Sequence, residues 1–313
     1  MLLFLRRCAS FVRLPLTLAS PTSMDNALSA AVSVAVHGVA FAMVLYLISV
    51  GLSVTMGMMG FVNLAHGVFA MAGGYVVTTA MNHYGLPLPA ALAAATAAVA
   101  AASLPIERLL YRRLYGGDEL DQVLLTMGLV FMSGAAAQYL SGPLEQPLRL
   151  PPGLSGGLRL GFGEVPAYDA LLIVCGAALA TALWLGIERS RFGAKIRAAV
   201  DNLRMAQSVG IDTSRLFSLT FALGCGLAAL GGGLGAALIT IAPGYALDNL
   251  VYFLIVVAIG GLGNIRGPFL AALLVGVADS ACKYMAPQFG AFFIYAMTMA
   301  ILLWRPRGLF GRA

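Results

Sequence analysis

Charge is scarce in this 313-residue chain. Asp, Glu, Lys and Arg make up 10% of it, against 60% hydrophobic residues. A soluble domain carries about 25% charged residues, so the deficit excludes an ordinary water-soluble globule. Lysine is rarer still. The two present, Lys195 and Lys283, follow Ala194 and Cys282, which leaves no GxxxxGK[ST] phosphate-binding loop. Three scattered histidines and four distant cysteines (Cys8, Cys175, Cys225, Cys282), with no CxxC, supply no clustered metal site. Cys175, Cys225 and Cys282 read as small apolar fillers within hydrophobic segments, not as ligands or disulfides. No GxSxG nucleophile elbow occurs. The chain therefore reads as no enzyme. Any nucleotide hydrolysis linked to it belongs to another chain, and no cofactor is expected here. Acids are outnumbered, with 13 Asp+Glu against 19 Lys+Arg. The basic residues stand beside the ends of apolar segments, so their excess is no nucleic-acid signal.

What the chain has in abundance is apolar length. Windows of about 20 apolar residues, enough to cross a hydrocarbon core of about 30 Å, recur along it. They predict an all-α polytopic membrane helix bundle of about 8–9 spans. Candidate spans are 28–50, 51–80 (broken by glycines), 88–105, 123–140, 170–187, 216–241, 250–263, 269–285 and 291–304. The pieces at 250–263 and 269–285 are short enough to be part-span or re-entrant. Residues 24–313 form the membrane domain. Residues 1–23 stand apart, with Arg6, Arg7 and Arg13, no acid, and apolar runs too short to span. They fit a presequence, a peripheral anchor, or an upstream start before a true beginning at Met24.

Lysine and arginine counts orient the spans. With the 188–215 loop inside, alternation puts Arg108, Arg112, Arg113, Arg266, Arg305, Arg307 and Arg312 on the same side. That side then holds thirteen basic residues, against Arg149, Arg159 and Lys283 opposite. The C-terminus is expected in the cytoplasm. Nine spans would put Met24 outside, and the three arginines of 1–23 oppose that. The external segment 141–169 is rich in Pro and Gly.

The longest polar interval directly between two apolar segments is 188–215, ERSRFGAKIRAAVDNLRMAQSVGIDTSR. In it Phe192, Ile196, Val200, Leu203 and Ala206 recur at steps of four, four, three and three, the stripe of an amphipathic helix. Arg197, Asp201, Arg204 and Ser208 fall opposite. Gly210 is a natural C-terminal stop, and Asp212 or Ser214 can cap the next helix. Periodicity alone fits two readings: a helix lying along lipid headgroups, or one that docks on a soluble partner.

Several polar groups sit within the apolar segments. In the glycine-broken second span, Asn63 and His66 are one turn apart, with Gly67 following. They either make an interhelical hydrogen bond or border a translocation path. Asp279 and Lys283 are spaced i,i+4, and a structural ion pair is favoured over a proton relay. Gly224, Ala228, Gly232 and Ala236 repeat every four residues as a close-packing face.

Five motifs, in order, carry a family resemblance. They are GFVNLAHG at 60–67, Arg191-Phe192-Gly193 with its Val209-Gly210-Ile211-Asp212 end, LTFAL at 219–223, Gly260-Gly261-Leu262-Gly263 followed by Gly267, and RPRGLFG at 305–311. From about Met24 onward the chain resembles the permease subunits of ATP-binding-cassette importers for branched-chain amino acids. That family often has an acid after the histidine-glycine pair, where this chain has Val68. The resemblance implies a second related permease, two cytoplasmic ATPases that use ATP and Mg, a periplasmic binding protein, and residence in a bacterial cytoplasmic membrane. It also implies that the helix beginning Arg191, Phe192, Gly193 and running through Ile196, Arg197, Val200, Leu203 and Arg204 to Gly210 is the ATPase-coupling element. Urea, amides or other small solutes are alternative cargoes. An ion-coupled secondary transporter is the rival mechanism, and an assembly subunit without a transport path is a second rival.

Overall fold

In the computed structural model, residues 21–160, 163–263, 266–306 and 308–310 are described. Expectations about Arg6, Arg7, Cys8, Arg13, Arg307 and Arg312 lie outside these residues. The first helix, α1 (Pro21–Met59), is 39 residues long. Its one proline, Pro21, is the first residue described, so no proline interrupts the helix beyond it. The helix ends where Gly60 takes φ +58°, a left-handed conformation that suits glycine. The sequence reading divided two spans at Gly51. That division is corrected: Gly51 lies inside α1, where a Cβ would meet the Gly224 carbonyl oxygen at 2.6 Å. The break falls instead at 60–65, ahead of α2 (His66–Asn82).

The remaining helices are α3 (Leu88–Leu109), α4 (Glu119–Ser141), α5 (Ala167–Arg189), α6 (Arg191–Asp201), α7 (Leu203–Ser208), α8 (Thr213–Gly235), α9 (Tyr245–Asp248), α10 (Leu250–Gly260), α11 (Arg266–Met285) and α12 (Gly290–Trp304). A two-stranded antiparallel hairpin, β1 (Gly157–Leu160) and β2 (Gly163–Pro166), closes the 141–166 segment. Six described helices are long and apolar enough to cross a membrane: Ser29–Met59 within α1, then α3, α4, α5, α8 and α11. Tyr245–Gly260 and Phe292–Trp304 are shorter apolar stretches, and α2 has 17 residues. The short piece expected after residue 250 is indeed an 11-residue helix. The one expected at 269–285 is part of a 20-residue helix of full length.

Burial separates centre from rim. In α8, 78% of the hydrophobic window is buried, compared with 17% in α4 and 11% in α5. Helix α8 packs on α1, α2 and α3, and α1 packs in turn on α11, α5 and α10. The small-residue face of α8 makes this possible. Gly224 meets Gly51 of α1, Gly232 meets Ala70 of α2, and Gly73 of α2 meets Ala229. In lipid, where apolar burial gives little drive, such close backbone packing holds helices together.

The bundle has two distinct ends. At one lie α6, α7, the 3₁₀ turn Tyr111–Leu114, the 261–263 turn and the C-terminal tail. At the other lie the hairpin and the 142–166 segment, tied down by Asn82. The Asn82 side chain donates to the Pro147 carbonyl (2.9 Å) and accepts from the Arg149 N–H (3.2 Å). The Gln146 N–H adds a bond to the Ile241 carbonyl at 2.8 Å.

A Cβ at Gly232 would overlap the backbone of Ala70, whereas one at Gly128 of α4 meets open space. Overpacking a tight site costs about 1–3 kcal/mol. Gly232→Val is therefore expected to lower the thermal midpoint of the detergent-purified chain by several degrees, with Gly128→Val nearly neutral. Equal midpoints would remove α8 from the centre of the packing scheme.

Candidate functional site

The segment after α5 begins with a capped helix. Ser190 Oγ accepts from the Gly193 N–H at 3.0 Å, the usual N-cap bond. A Cβ at Gly193 would run into the Ile187 carbonyl, so this position needs glycine for the tight bend between α5 and α6. The sequence pointed to one helix from Arg191 to Gly210. Two are present. At Asn202 the backbone is extended (φ −156°, ψ 100°), and its side chain caps α7 by accepting from the Met205 N–H at 3.0 Å. An asparagine that can cap in this way competes with helix continuation. After α7, Gly210 is left-handed (φ +84°), and Asp212 caps α8 through the Arg215 N–H at 3.0 Å.

The expected stripe faces the bundle. Ile196, Ala199 and Ala206 are buried against Val54 and Met58 of α1 and Leu216 and Phe217 of α8. Phe192, Val200, Leu203 and Ile211 pack around that cluster. Arg191, Lys195, Arg197, Asp201, Arg204 and Ser208 are exposed. Arg197 is exposed but engaged, since its guanidinium donates to the Ile187 carbonyl and, at 3.4 Å, to that of Glu188. It thereby satisfies carbonyls at the end of α5. Beyond it, Arg204 projects outward beside Met205 and Val209, two apolar residues 62% and 69% exposed.

Beside α6 lies a cavity of about 1100 Å³. Its walls come from the ends of α1, α5, α10 and α12, together with the 261–263 turn. The Glu188 carboxylate pairs with Arg266, whose guanidinium lies 5.5 Å over the Trp184 ring. The glycine turn is stitched to α1, with Ser53 Oγ donating to the Gly261 carbonyl (3.1 Å) and the Gly263 N–H donating to that of Ser53 (3.0 Å). The tail docks on the same place, where the Leu309 N–H donates to the Ile259 carbonyl at 2.7 Å. Motifs far apart in sequence thus meet around one cavity.

Gly60 of the 60–67 run lines this cavity, and Phe61, Asn63, Ala65, His66 and Gly67 are buried. Asn63 is not on α2 with His66 but in the loop ahead of it. Its Oδ1 accepts from the Ala65 N–H (3.1 Å) and the Tyr111 hydroxyl (3.0 Å). His66 Nε2 lies 3.0 Å from the Ile48 carbonyl in the middle of α1. Gly67 fits against Ala246 and Phe253. Asn63 and His66 are 2% and 1% exposed.

Sequence reasoning missed several residues of this network. Gln122 accepts from the Val62 N–H (3.0 Å) and donates to the Leu114 (3.3 Å) and Gly117 (3.2 Å) carbonyls. Tyr111 packs on Phe61 and Phe221, at 5.1 and 4.9 Å between centroids. The buried Glu107 carboxylate accepts from Ser218 (2.6 Å) and Tyr115 (2.9 Å). Burial, aided by that carboxylate, pushes the Tyr115 phenol well above its ordinary value. Tyr115 also stacks edge-on with Phe217 at 5.7 Å, which joins this network to the apolar base of α6. The only available signal was a lone acid near the end of an apolar run.

At the opposite end, Lys283 Nζ lies 2.7 Å from Asp279 Oδ2. Tyr252 donates to Asp279 Oδ1 at 3.1 Å, and His37 Nδ1 is 3.1 Å from Asp169 Oδ2.

A bundle of apolar helices with its charged groups at two ends, and an amphipathic element folded against one of them, is the architecture of a multi-pass membrane protein. The chain belongs to the branched-chain amino acid transport system / permease component family, whose model matches residues 34–302. It is 30% identical over 290 residues to the high-affinity branched-chain amino acid transport system permease protein BraD of Pseudomonas aeruginosa, covering 88% of this chain and 94% of the relative. It is 27% identical over 291 residues to the corresponding permease protein LivH of Escherichia coli K12, with the same coverage of 88% and 94%. A probable LivH permease protein of Methanocaldococcus jannaschii is 26% identical over 271 residues, 83% of this chain and 84% of the relative. No solved structure matches the chain. Its relatives are transport subunits rather than enzymes.

A net hydrogen bond is worth about 0.5–1.5 kcal/mol, and an abandoned buried donor costs about 1–3 kcal/mol. Tyr111→Phe is therefore expected to lower the unfolding midpoint slightly, and Gln122→Ala to lower it more, because it strands the Val62 N–H and two carbonyls. Thermal unfolding of the purified variants checks the order; the reverse order would refute the role given to Gln122.

Proposed function

We propose that this chain is the permease of an ATP-driven importer that carries branched-chain or related small apolar amino acids inward across a bacterial cytoplasmic membrane. In this reading α6 and α7 lie in the cytoplasm with the C-terminal tail, and the chain crosses nine times. The crossings are α1, α2, α3, α4, α5, α8, the α9–α10 stretch, α11 and α12. A second related permease pairs with it, two ATPases using ATP and Mg dock beneath, and a periplasmic binding protein delivers the cargo to the far end.

The observation that carries the reading is the build of α6 and α7. Their inner face is locked into the ends of α1 and α8, while Arg204, Met205 and Val209 project outward. An element anchored in this way passes a push on its outer face directly to two central helices. ATP binding by the partners draws the docking elements together and rocks the two permeases between outward-open and inward-open states. Asn63, His66 and Gly67 border the path as part of its wall. Through Tyr111, Tyr115 and Glu107 they move with the α6 end of the bundle.

The test replaces outward residues only. Arg197 is a poor target, because its loss uncaps α5. The combination Arg204→Glu, Met205→Asp and Val209→Asp is expected to cut ATPase co-purification about tenfold or more while membrane insertion stays normal. Unchanged co-purification would refute the docking face. Uptake that survives ATP depletion but collapses with an uncoupler would replace the importer by an ion-coupled transporter.

Within the path, His66→Ala is expected to reduce uptake per molecule inserted. Equal loss of uptake and of inserted protein would return His66 to a packing role.

A further inference from the structure

At the end of the bundle away from α6, a cavity of about 710 Å³ opens between α1, the start of α5, the start of α10 and the end of α11. We propose that it binds a small zwitterion, the α-amino and α-carboxylate head of an amino acid, with the aliphatic side chain laid on its apolar wall. The proposal rests on the importer reading and adds a site in the permease itself.

Two acid–base pairs border this cavity, His37 with Asp169 and Lys283 with Asp279. They are built alike. The side chains of Asp169 and Asp279 are 3% and 2% exposed, while those of His37 and Lys283 are 54% and 56% exposed. Each carboxylate is sunk in the wall and each base reaches into accessible space. Tyr252 adds a hydroxyl on Asp279 at 3.1 Å, and its ring and that of Phe41 both lie 5.8 Å from the Lys283 ammonium.

Two such pairs gathered on one concave, partly apolar cavity are the mark of a small-molecule site. Both signs are present, so the favoured ligand also carries both. Its carboxylate replaces water on Lys283 and His37. Its ammonium sits against the Phe41 and Tyr252 rings, which attract cations, with the negative charge of Asp279 and Asp169 in the wall behind them. Val34, Phe41, Leu238 and Ile239 supply the apolar wall. The floor is closed, because residues 42–55 of α1 are buried without interruption. The site is a vestibule, and onward movement requires the helices to part.

The experiment uses the complete permease–ATPase complex in nanodiscs of phosphatidylcholine and phosphatidylglycerol, without binding protein, and reads saturation-transfer NMR of L-leucine. Leucine is expected to bind in the millimolar range. Isocaproate and isoamylamine, which each lack one charge, should bind about tenfold more weakly, as expected when one charge-assisted contact is lost. Asp279→Asn combined with Lys283→Met removes the pair together and leaves no buried charge unpaired. Val34→Trp fills the cavity while leaving the residues of both pairs unchanged. Each should reduce leucine saturation about tenfold, and unchanged saturation in either folded variant overturns the proposal. Glycerophosphoethanolamine is the competing zwitterion; if it binds more tightly than leucine, the site belongs to a lipid headgroup and the amino-acid assignment fails. ATP-driven leucine uptake by the wild-type complex with its binding protein separates the two readings. Uptake without vestibule saturation sinks this inference alone, whereas no amino-acid uptake sinks the importer reading.

Discussion

The structure depends on backbone meeting backbone around α8. A membrane offers little hydrophobic drive for one helix to seek another, so association rests on close van der Waals contact. Helix α8 achieves it by presenting Gly224 to Gly51 and Gly232 to Ala70, while Gly73 approaches Ala229. At those places α1 and α2 come nearer than side chains would permit. The same small residues that lower helix propensity are what allow the bundle to close. With α8 enclosed, α4 and α5 are left at the rim, with most of their apolar surface facing outward.

Tight packing in the middle leaves the charged side chains at the ends. Between Ala42 and Thr55, α1 is buried on every side. Accessible volume opens beyond this plug at both ends, beside α6 and beside Lys283. The elements fastened to the ends of α1 and α8 are α6 and α7. Such a seat has Ile196, Ala199 and Ala206 on one side and Phe217 and Leu216 on the other. The aromatic chain Phe217–Tyr115–Phe61–Tyr111–Phe221 extends it into the loop before α2.

Family membership was legible in the residues because its motifs are local. Glycines at 60, 210, 261 and 263 have positive φ, and each punctuates the chain where the motifs place it. The amphipathic stripe from Phe192 to Ala206 was legible for the same reason, since a 3.6-residue period shows in any helix with one wet face. The division of spans at Gly51 misled, because in the fold that glycine is a contact inside α1 and not an end. Asn202 misled in the other direction. The apolar period runs through it unbroken, and only the cap it makes on Met205 divides the element in two.

The order of apolar and polar segments, the excess of basic residues beside certain segment ends, and the presence of one amphipathic element were set by the sequence alone. All of these follow from transfer free energies that act residue by residue along the chain. The tertiary structure decided which polar groups meet. Glu107 reaches Ser218 across 111 positions and His37 reaches Asp169 across 132. A contact between distant segments depends on how whole helices pack, and no local property of either segment encodes that.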